Sequence, residues 1–151
     1  MSSEKRNGQQ MHQTQAPKDR ALLVGAEVYA NRDAWHVDDS LDELALLADT
    51  AGLEVVGTIS QKLDHPNPKT YIGPGKLREI AELRNESPYD LVVFDDELSP
   101  SQTRNIEEVL KLRVLDRTTL ILDIFAAHAR TKEGSLQVEL AQYEYLLPRL
   151  R

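Results

Sequence analysis

Three consecutive carboxylates, Asp95, Asp96 and Glu97, are the side chains of this sequence best placed to do chemistry. Asp95 ends the apolar run 89–95, which has the composition of a buried β-strand, and Asp96 and Glu97 follow directly. Carboxylates at the carboxyl end of a parallel strand could hold Mg²⁺ or accept a phosphoryl group. Acidic groups just before a helix are also stabilised by the helix dipole without any ligand. We favour this structural interpretation and predict no metal site.

A phospho-acceptor domain of the response-regulator receiver type is the enzyme-like alternative for Asp95. That fold needs a further acidic pair after its first strand and a lysine after its last. Here the first predicted strand ends in the single Glu27, and no lysine follows the fourth strand. The receiver-like alternative is therefore weak, and a gain in mass with a small phosphodonor would test it.

The segment 70–76, TYIGPGK, is the second candidate site, because a helix N-terminus offers free amides and a positive dipole end to a phosphate. It is not a Walker A loop, since the four-residue spacing is absent and no Ser or Thr follows the lysine. Tyr71, Gly73, Gly75 and Lys76 could line a nucleotide crevice for ATP or GTP. The alternative, which we favour, is a structural turn leading into a helix.

Several other chemistries are excluded by composition. The chain has no cysteine, which rules out a disulfide, a thiolate nucleophile and a Cys-ligated zinc. Its four histidines lie at positions 12, 36, 65 and 128, without metal-ligand spacing, and neither GxSxG nor HExxH occurs. We predict no catalytic residues. No run approaches the ~20 apolar residues of a membrane span, and we expect a cytoplasmic protein.

The elements that must position these residues form an alternating α/β pattern. Strands are predicted at 21–28, 53–59, 89–95 and 114–115, with helices after the first three. Strand–helix–strand units imply parallel pairing with right-handed crossovers. We predict a small three-layer α/β domain at 21–116, with a four-stranded, mostly parallel sheet in the order 2-1-3-4. Residues 1–20, almost without apolar side chains, are expected to be a disordered tail.

Local signals define how several helices begin. Ser40 with Glu43, and Ser99 with Gln102, have the spacing of capping boxes. Asp116 can cap the segment that follows it, and residues 118–129 suit a strand or a helix. Its length and apolar spacing favour a helix.

Residues 117–151 are predicted to form a helical subdomain that ends in a long helix. From residue 136 the apolar positions recur in steps of four and three, the pattern of a helix that packs lengthwise on another helix; they are Leu136, Leu140, Tyr143, Leu147 and Leu150. One apolar stripe needs a partner helix. We therefore interpret the chain as a fragment that contains the first arm of a truncated helical hairpin. We also expect that this helix could mediate dimerisation of the fragment.

The charge is distributed unevenly along the chain. Residues 21–110 carry seven basic and eighteen acidic groups, whereas residues 111–151 carry seven basic and five acidic ones. The acidic part repels a phosphate backbone. Any contact with RNA is therefore expected to be local and to involve the C-terminal arm.

Residues 116–150 resemble the signature of the HflX-type GTPases, which are ribosome-associated translational GTPases. Two further blocks agree in type and order, TYIGPGKLREI at 70–80 and VVFDDELSPSQTRNIEE at 92–108. The resemblance covers about residues 20 to 151. Two departures are His128, where the family more often carries arginine, and Tyr143, where leucine is commoner. The first replaces a permanent charge at a position that could face RNA.

The resemblance implies an N-terminal domain that lacks the GTP-binding domain and engages the large ribosomal subunit and its rRNA, in ribosome splitting or rescue. By this analogy the phosphate contacts are Arg130, Lys132, Arg149 and Arg151, with Lys76 as an outlying one. GTP and Mg²⁺ are expected in the missing GTPase domain and no cofactor in this chain, so the chain should not hydrolyse GTP alone.

Overall fold

The computed structural model describes residues 17–29, 36–129 and 132–149, and for residues 132–138 it describes the backbone alone. Four strands and five helices alternate along these residues, and a short 3₁₀ turn ends them: β1 (Arg20–Val28), α1 (Val37–Thr50), β2 (Glu54–Leu63), α2 (Pro74–Glu86), β3 (Leu91–Phe94), α3 (Pro100–Leu110), β4 (Arg113–Asp116), α4 (Arg117–His128), α5 (Lys132–Leu146) and the turn Leu147–Arg149. Most of the predicted disordered tail lies outside the described residues.

The sheet is wholly parallel, and its strand order is β2-β1-β3-β4, which confirms the predicted 2-1-3-4. β1 lies in the middle because its residues are apolar on both faces, as a strand covered by helices on both sides requires. The shortest strands, β3 and β4, pair side by side, so that Phe94 lies opposite Asp116. Their carboxyl ends therefore meet at one place.

Two apolar layers, one on each face of the sheet, hold the fold together. On one face α2 and α3 pack against Leu22, Val92 and Val114. On the other face α1 and α4 pack against Leu23 and Val93. The helix–sheet–helix arrangement confirms the predicted three-layer α/β fold, with the last long helix, α5, following it.

Helix starts follow the sequence signals with one exception. Ser99 caps α3 in a complete capping box, and Pro74 stands at the first turn of α2. Asp116 caps α4, and the helix Arg117–His128 confirms a helix rather than a strand for the predicted segment 118–129. The predicted capping box at Ser40 is wrong, because α1 begins three residues earlier and His36 is its N-cap. The Ser40 hydroxyl does not cap α1 and can donate a hydrogen bond to a carboxylate outside the helix.

α5 runs back along α4 towards the carboxyl edge of the sheet: the Gln142 side chain reaches Asp123, and that of Tyr145 reaches Asp116. The described members of the apolar stripe, Leu140, Tyr143 and Leu147, are 60, 65 and 55% exposed. The stripe is not covered by the α/β layers. Within the described part of the chain, no helix is long and apolar enough to cross a membrane.

Candidate functional site

The carboxyl ends of β1, β3 and β4 lie side by side, at the edge where α/β proteins bind ligands. Asp95 and Asp96 follow β3 directly, and Asp116 ends β4. The sheet thus gathers three carboxylates at one of its edges. Their partners decide what this edge can do.

Asp95 is held by α1 and α4 together. One carboxylate oxygen accepts hydrogen bonds from Arg117 Nε at 2.9 Å and Nη2 at 2.5 Å, and the other accepts one from the Ser40 hydroxyl. Arg117 also donates to Glu43 at 2.7 Å and to the Ser40 carbonyl at 2.9 Å. The Asp95 side chain is only 9% exposed. Both of its oxygens are engaged, which argues against a phospho-acceptor role.

Asp96 faces a different set of groups. It accepts a hydrogen bond from the Ala26 amide at 3.3 Å and one from the Tyr71 hydroxyl. Burial, and then the neighbouring charge of Asp95, raise the pKa of Asp96. The pKa of Tyr71 is raised by its own burial and by the carboxylate it contacts. The pair is therefore a hydrogen-bonded contact between a neutral phenol and a carboxyl group.

Asp116 joins three segments. Its carboxylate accepts from the Thr119 amide at 3.0 Å, from the Leu98 amide at 3.1 Å and from the Tyr145 hydroxyl. The side chain is buried, and its three donors together satisfy most of its acceptor capacity. The loop after β3, the start of α4 and the end of α5 consequently meet on one carboxylate.

Arg149 completes this junction from the 3₁₀ turn. It donates to the Leu98 carbonyl at 2.9 Å and to the Tyr145 carbonyl at 2.7 Å, and its guanidinium stacks on the Tyr145 ring with 3.7 Å to the centroid. The side chain is 14% exposed. Arg149 therefore points towards its own chain, and its predicted phosphate contact stays untested.

The predicted nucleotide residues lie together beside the same edge, at the entrance of α2. Gly73 is the N-cap of α2, and its amide donates to Gln61 at 3.0 Å. Lys76 forms an ion pair with Glu79 at 3.0 Å. Gly75 faces open space. With the Tyr71 hydroxyl on Asp96, three of the four residues are engaged within the chain.

The other predicted RNA contacts are less well defined by the structure. Lys132 is the first residue of α5, but its side chain is outside the described set. Arg130 and Arg151 lie outside the described residues.

Two residues of this edge were missed at the sequence level, Arg117 and Tyr145. Arg117 could have been suspected, because an arginine directly after a buried aspartate at a strand end has several carboxylates within reach. No local pattern marks Tyr145, whose partner lies 29 positions away. Among the described residues, no group of three or more His, Asp or Glu side chains is arranged to hold a metal ion.

Comparison with known proteins defines the class. Residues 38–126 match the family described as GTP-binding GTPase N-terminal, and residues 128–151 match the GTP-binding GTPase middle region. The class is thus the N-terminal α/β domain and following helical region of a GTP-binding GTPase.

Individual relatives identify the family within this class. The GTPase HflX of Alkalihalophilus pseudofirmus is 50% identical over 132 residues, which are 87% of this chain and 31% of that protein. The GTPase HflX of Escherichia coli K12 is 46% identical over 132 residues, 87% of this chain and 30% of that protein. The chain belongs to the HflX-type GTPase family and corresponds to its N-terminal part. It spans about a third of the length of these relatives.

Solved structures agree with this assignment. A GTP-binding protein from Sulfolobus solfataricus in complex with GDP matches with a TM-score of 0.65 and 30% identity, over 87% of this chain and 38% of that one. The structure titled SsGBP and GDP complex matches with a TM-score of 0.68 and 30% identity, over 87% of this chain and 36% of that one.

Proposed function

We propose that this chain is a ribosome-binding and regulatory module, the N-terminal part of an HflX-like protein that associates with the large ribosomal subunit and its rRNA. Splitting or rescue of ribosomes is the process that the family resemblance suggests. The observation that carries the proposal is the state of the carboxyl edge. Asp95, Asp96 and Asp116 are all engaged by the chain's own donors, so this edge serves as a scaffold rather than a reaction centre.

The phosphate contacts of the proposal lie at the start of α5 and beyond its end. Arg130, Lys132 and Arg151 would supply sequence-independent contacts, with Lys76 as an outlying one. Arg149 differs, because it already donates hydrogen bonds to the carbonyl groups of Leu98 and Tyr145. It would reach a phosphate only when those hydrogen bonds are given up.

Co-sedimentation with purified large subunits tests this proposal. The wild-type chain should pellet with the subunits at low salt and lose binding as salt rises, because each phosphate contact releases counterions. The double variant R130E/K132E should bind more weakly. Its matched control is R78E/K69E, two charge reversals at exposed positions on α2 and the preceding loop. Binding that ignores salt, or equal losses in both variants, would contradict the assignment.

GTP and Mg²⁺ belong to the proposal only for the whole protein. The sequence contains no GxxxxGK[ST] loop, and the described residues offer no metal cluster, so the proposal assigns neither GTP nor Mg²⁺ to this chain. By analogy with relatives named GTPases, the nucleotide and its metal would be bound by sequence outside these 151 residues. A cytoplasmic location is part of the same proposal.

Nucleotide binding by this chain itself is a second candidate, favoured only by the open N-terminus of α2 at Gly75. Titration calorimetry with ATP and with GTP separates it from the scaffold proposal. Saturable heat that the variant K76A abolishes would establish the second candidate. We expect none, because Lys76 and the Gly73 amide already have partners in the chain.

A further inference from the structure

Among the described residues, the two buried apolar clusters contain no member of α5. Both apolar clusters draw their buried members from residues 21–120, which lie on the sheet and on α1 to α4. No described residue of α5 or of the turn that follows it is buried. Burial of apolar area is the main stabilising term of a domain, and the described part of α5 adds no buried side chain to it.

Polar contacts attach the described part of α5 to this body. Gln142 donates to Asp123 at 2.9 Å, the Tyr145 hydroxyl donates to Asp116, and Arg149 donates to the Leu98 carbonyl at 2.9 Å. The Tyr145 bond lies in the last turn of the helix, and the Arg149 bond lies in the 3₁₀ turn that follows. A net contribution of roughly 0.5–1.5 kcal/mol for each such bond is small beside the stability of a domain.

The junction between α5 and the body is loosely packed. A cleft of about 240 Å³ lies there, and its walls include Thr103, Glu107 and Asp123 on the body and the half-buried Leu146 on α5. Well-packed interiors leave few voids larger than one water molecule. The contact between the described part of α5 and the body therefore includes open space as well as hydrogen bonds.

One nitrogen of Arg149 disfavours the docked state of α5. Its Nε is buried and has no hydrogen-bond partner among the described residues, while the nearest carboxylate, Glu97, stands 3.8 Å from Nη2. A buried donor without a partner raises the free energy of the docked state, and undocking would return it to water. The stacking on Tyr145 and the two carbonyl bonds work in the opposite direction.

We propose that Asp116, Tyr145 and Arg149 form a polar latch, which holds α5 against the α/β body and lets it undock as a unit while the body stays folded. In the docked state the latch sets the direction of α5 by fixing its last turn on the carboxyl edge of the sheet. In the undocked state Arg149 is free to meet an external anion or carbonyl.

Hydrogen exchange of backbone amides in the full chain tests the latch, since exchange reports local opening free energies segment by segment. In the wild type, amides at 139–146 should exchange through an opening less costly than the one that exposes β1 and β3. The variant Y145F removes one hydrogen bond and keeps the ring. It should speed exchange at 139–146 about three- to tenfold and leave β1 and β3 unchanged.

The matched control is Y143F, which removes a hydroxyl from an exposed tyrosine of the same helix and should change neither segment. A second variant, R149M, keeps an unbranched stem and removes the guanidinium donors, and it should act on the same segment as Y145F. Asp116 is left intact, because it also caps α4. Equal protection of α5, β1 and β3 in the wild type, or equal acceleration of all three in Y145F, would overturn the latch.

Discussion

Arg117 is the residue on which the carboxyl edge most depends. Its guanidinium joins Asp95, Glu43 and the Ser40 carbonyl, and its side chain is mostly buried. An aspartate as buried as Asp95 is stable as an anion only with such a partner, since desolvation of an unpaired charge is costly.

The variant R117M should therefore lose about 3 kcal/mol in the free energy of unfolding, measured by urea denaturation. The loss comes from the carboxylate left uncompensated, so the double variant R117M/D95N should recover part of it. R78M, which alters an exposed arginine of α2, is the control and should stay within about 0.5 kcal/mol of the wild type. A loss in R117M no larger than in R78M would show that the ion pair is unimportant.

Asp96 allows a prediction about pH. Burial and then the charge of Asp95 raise its pKa above the ordinary 3.8, so the folded state binds this proton more tightly than the unfolded chain does. The stabilising effect of that proton is present below 3.8 and is lost as the pH rises through the raised pKa. D96N should consequently be more stable than the wild type at neutral pH, with the difference shrinking in acid.

Asp90 supplies the opposite sign as an internal control. A hydrogen bond from the Arg20 amide, and then one from its side chain, lower the pKa of Asp90. Its stabilising effect exists above the ordinary pKa and is lost as the pH falls through the lowered one. D90N should therefore be less stable than the wild type at neutral pH. The same pH dependence in D90N and D96N, measured by urea unfolding at each pH, would contradict both assignments.

At the scale of single elements, Gly25 and Gly75 differ in the space that an added side chain would find. A Cβ at Gly25, in β1, would lie 2.9 Å from Val37 Cγ2 and 3.2 Å from both Leu41 methyl carbons, whereas a Cβ at Gly75, in α2, would meet nothing within 4 Å. β1 and α1 approach each other closely because residue 25 has no side chain.

G25A should thus destabilise the protein by about 1–3 kcal/mol through overpacking. G75A should stabilise it by about 0.5–1 kcal/mol, because alanine is the better helix former and limits the unfolded chain. Thermal and urea unfolding of the two variants side by side measure the difference. Equal effects would mean that the close contact of β1 with α1 relaxes without cost.

The elements themselves were largely predictable, and the contacts at the edge were not. Apolar runs and capping signals at Ser99 and Asp116 are local, so the sequence alone gives the order of elements and most helix starts. The Ser40 signal failed because α1 begins at Val37, and the Ser40 hydroxyl donates instead to Asp95, 55 positions away. The bond from Arg117 to Glu43 spans 74 positions. Pairings at such separations exist only once the sheet has brought β3, β4 and α1 together.

At the scale of the whole molecule, the protein combines a closed α/β body with a helix whose apolar face is open. The body buries its core between helices on both faces of the sheet. α5 and the turn after it present Leu140, Tyr143 and Leu147 outward, in the four-and-three spacing of a helix–helix seam. Three neighbouring large apolar side chains on one exposed face are typical of a surface that associates.

Self-association of this 151-residue chain through α5 is the prediction that belongs to this scale. Sedimentation velocity should show a dimer whose fraction rises with concentration, because pairing of two α5 seams removes both stripes from water. L140E places a charge in the middle of the seam and should return the chain to monomer. L46E, at an equally exposed leucine on α1, is the control and should leave the dimer intact. If L46E also dissociates the dimer, or if none forms, the seam of α5 does not pair with a second copy.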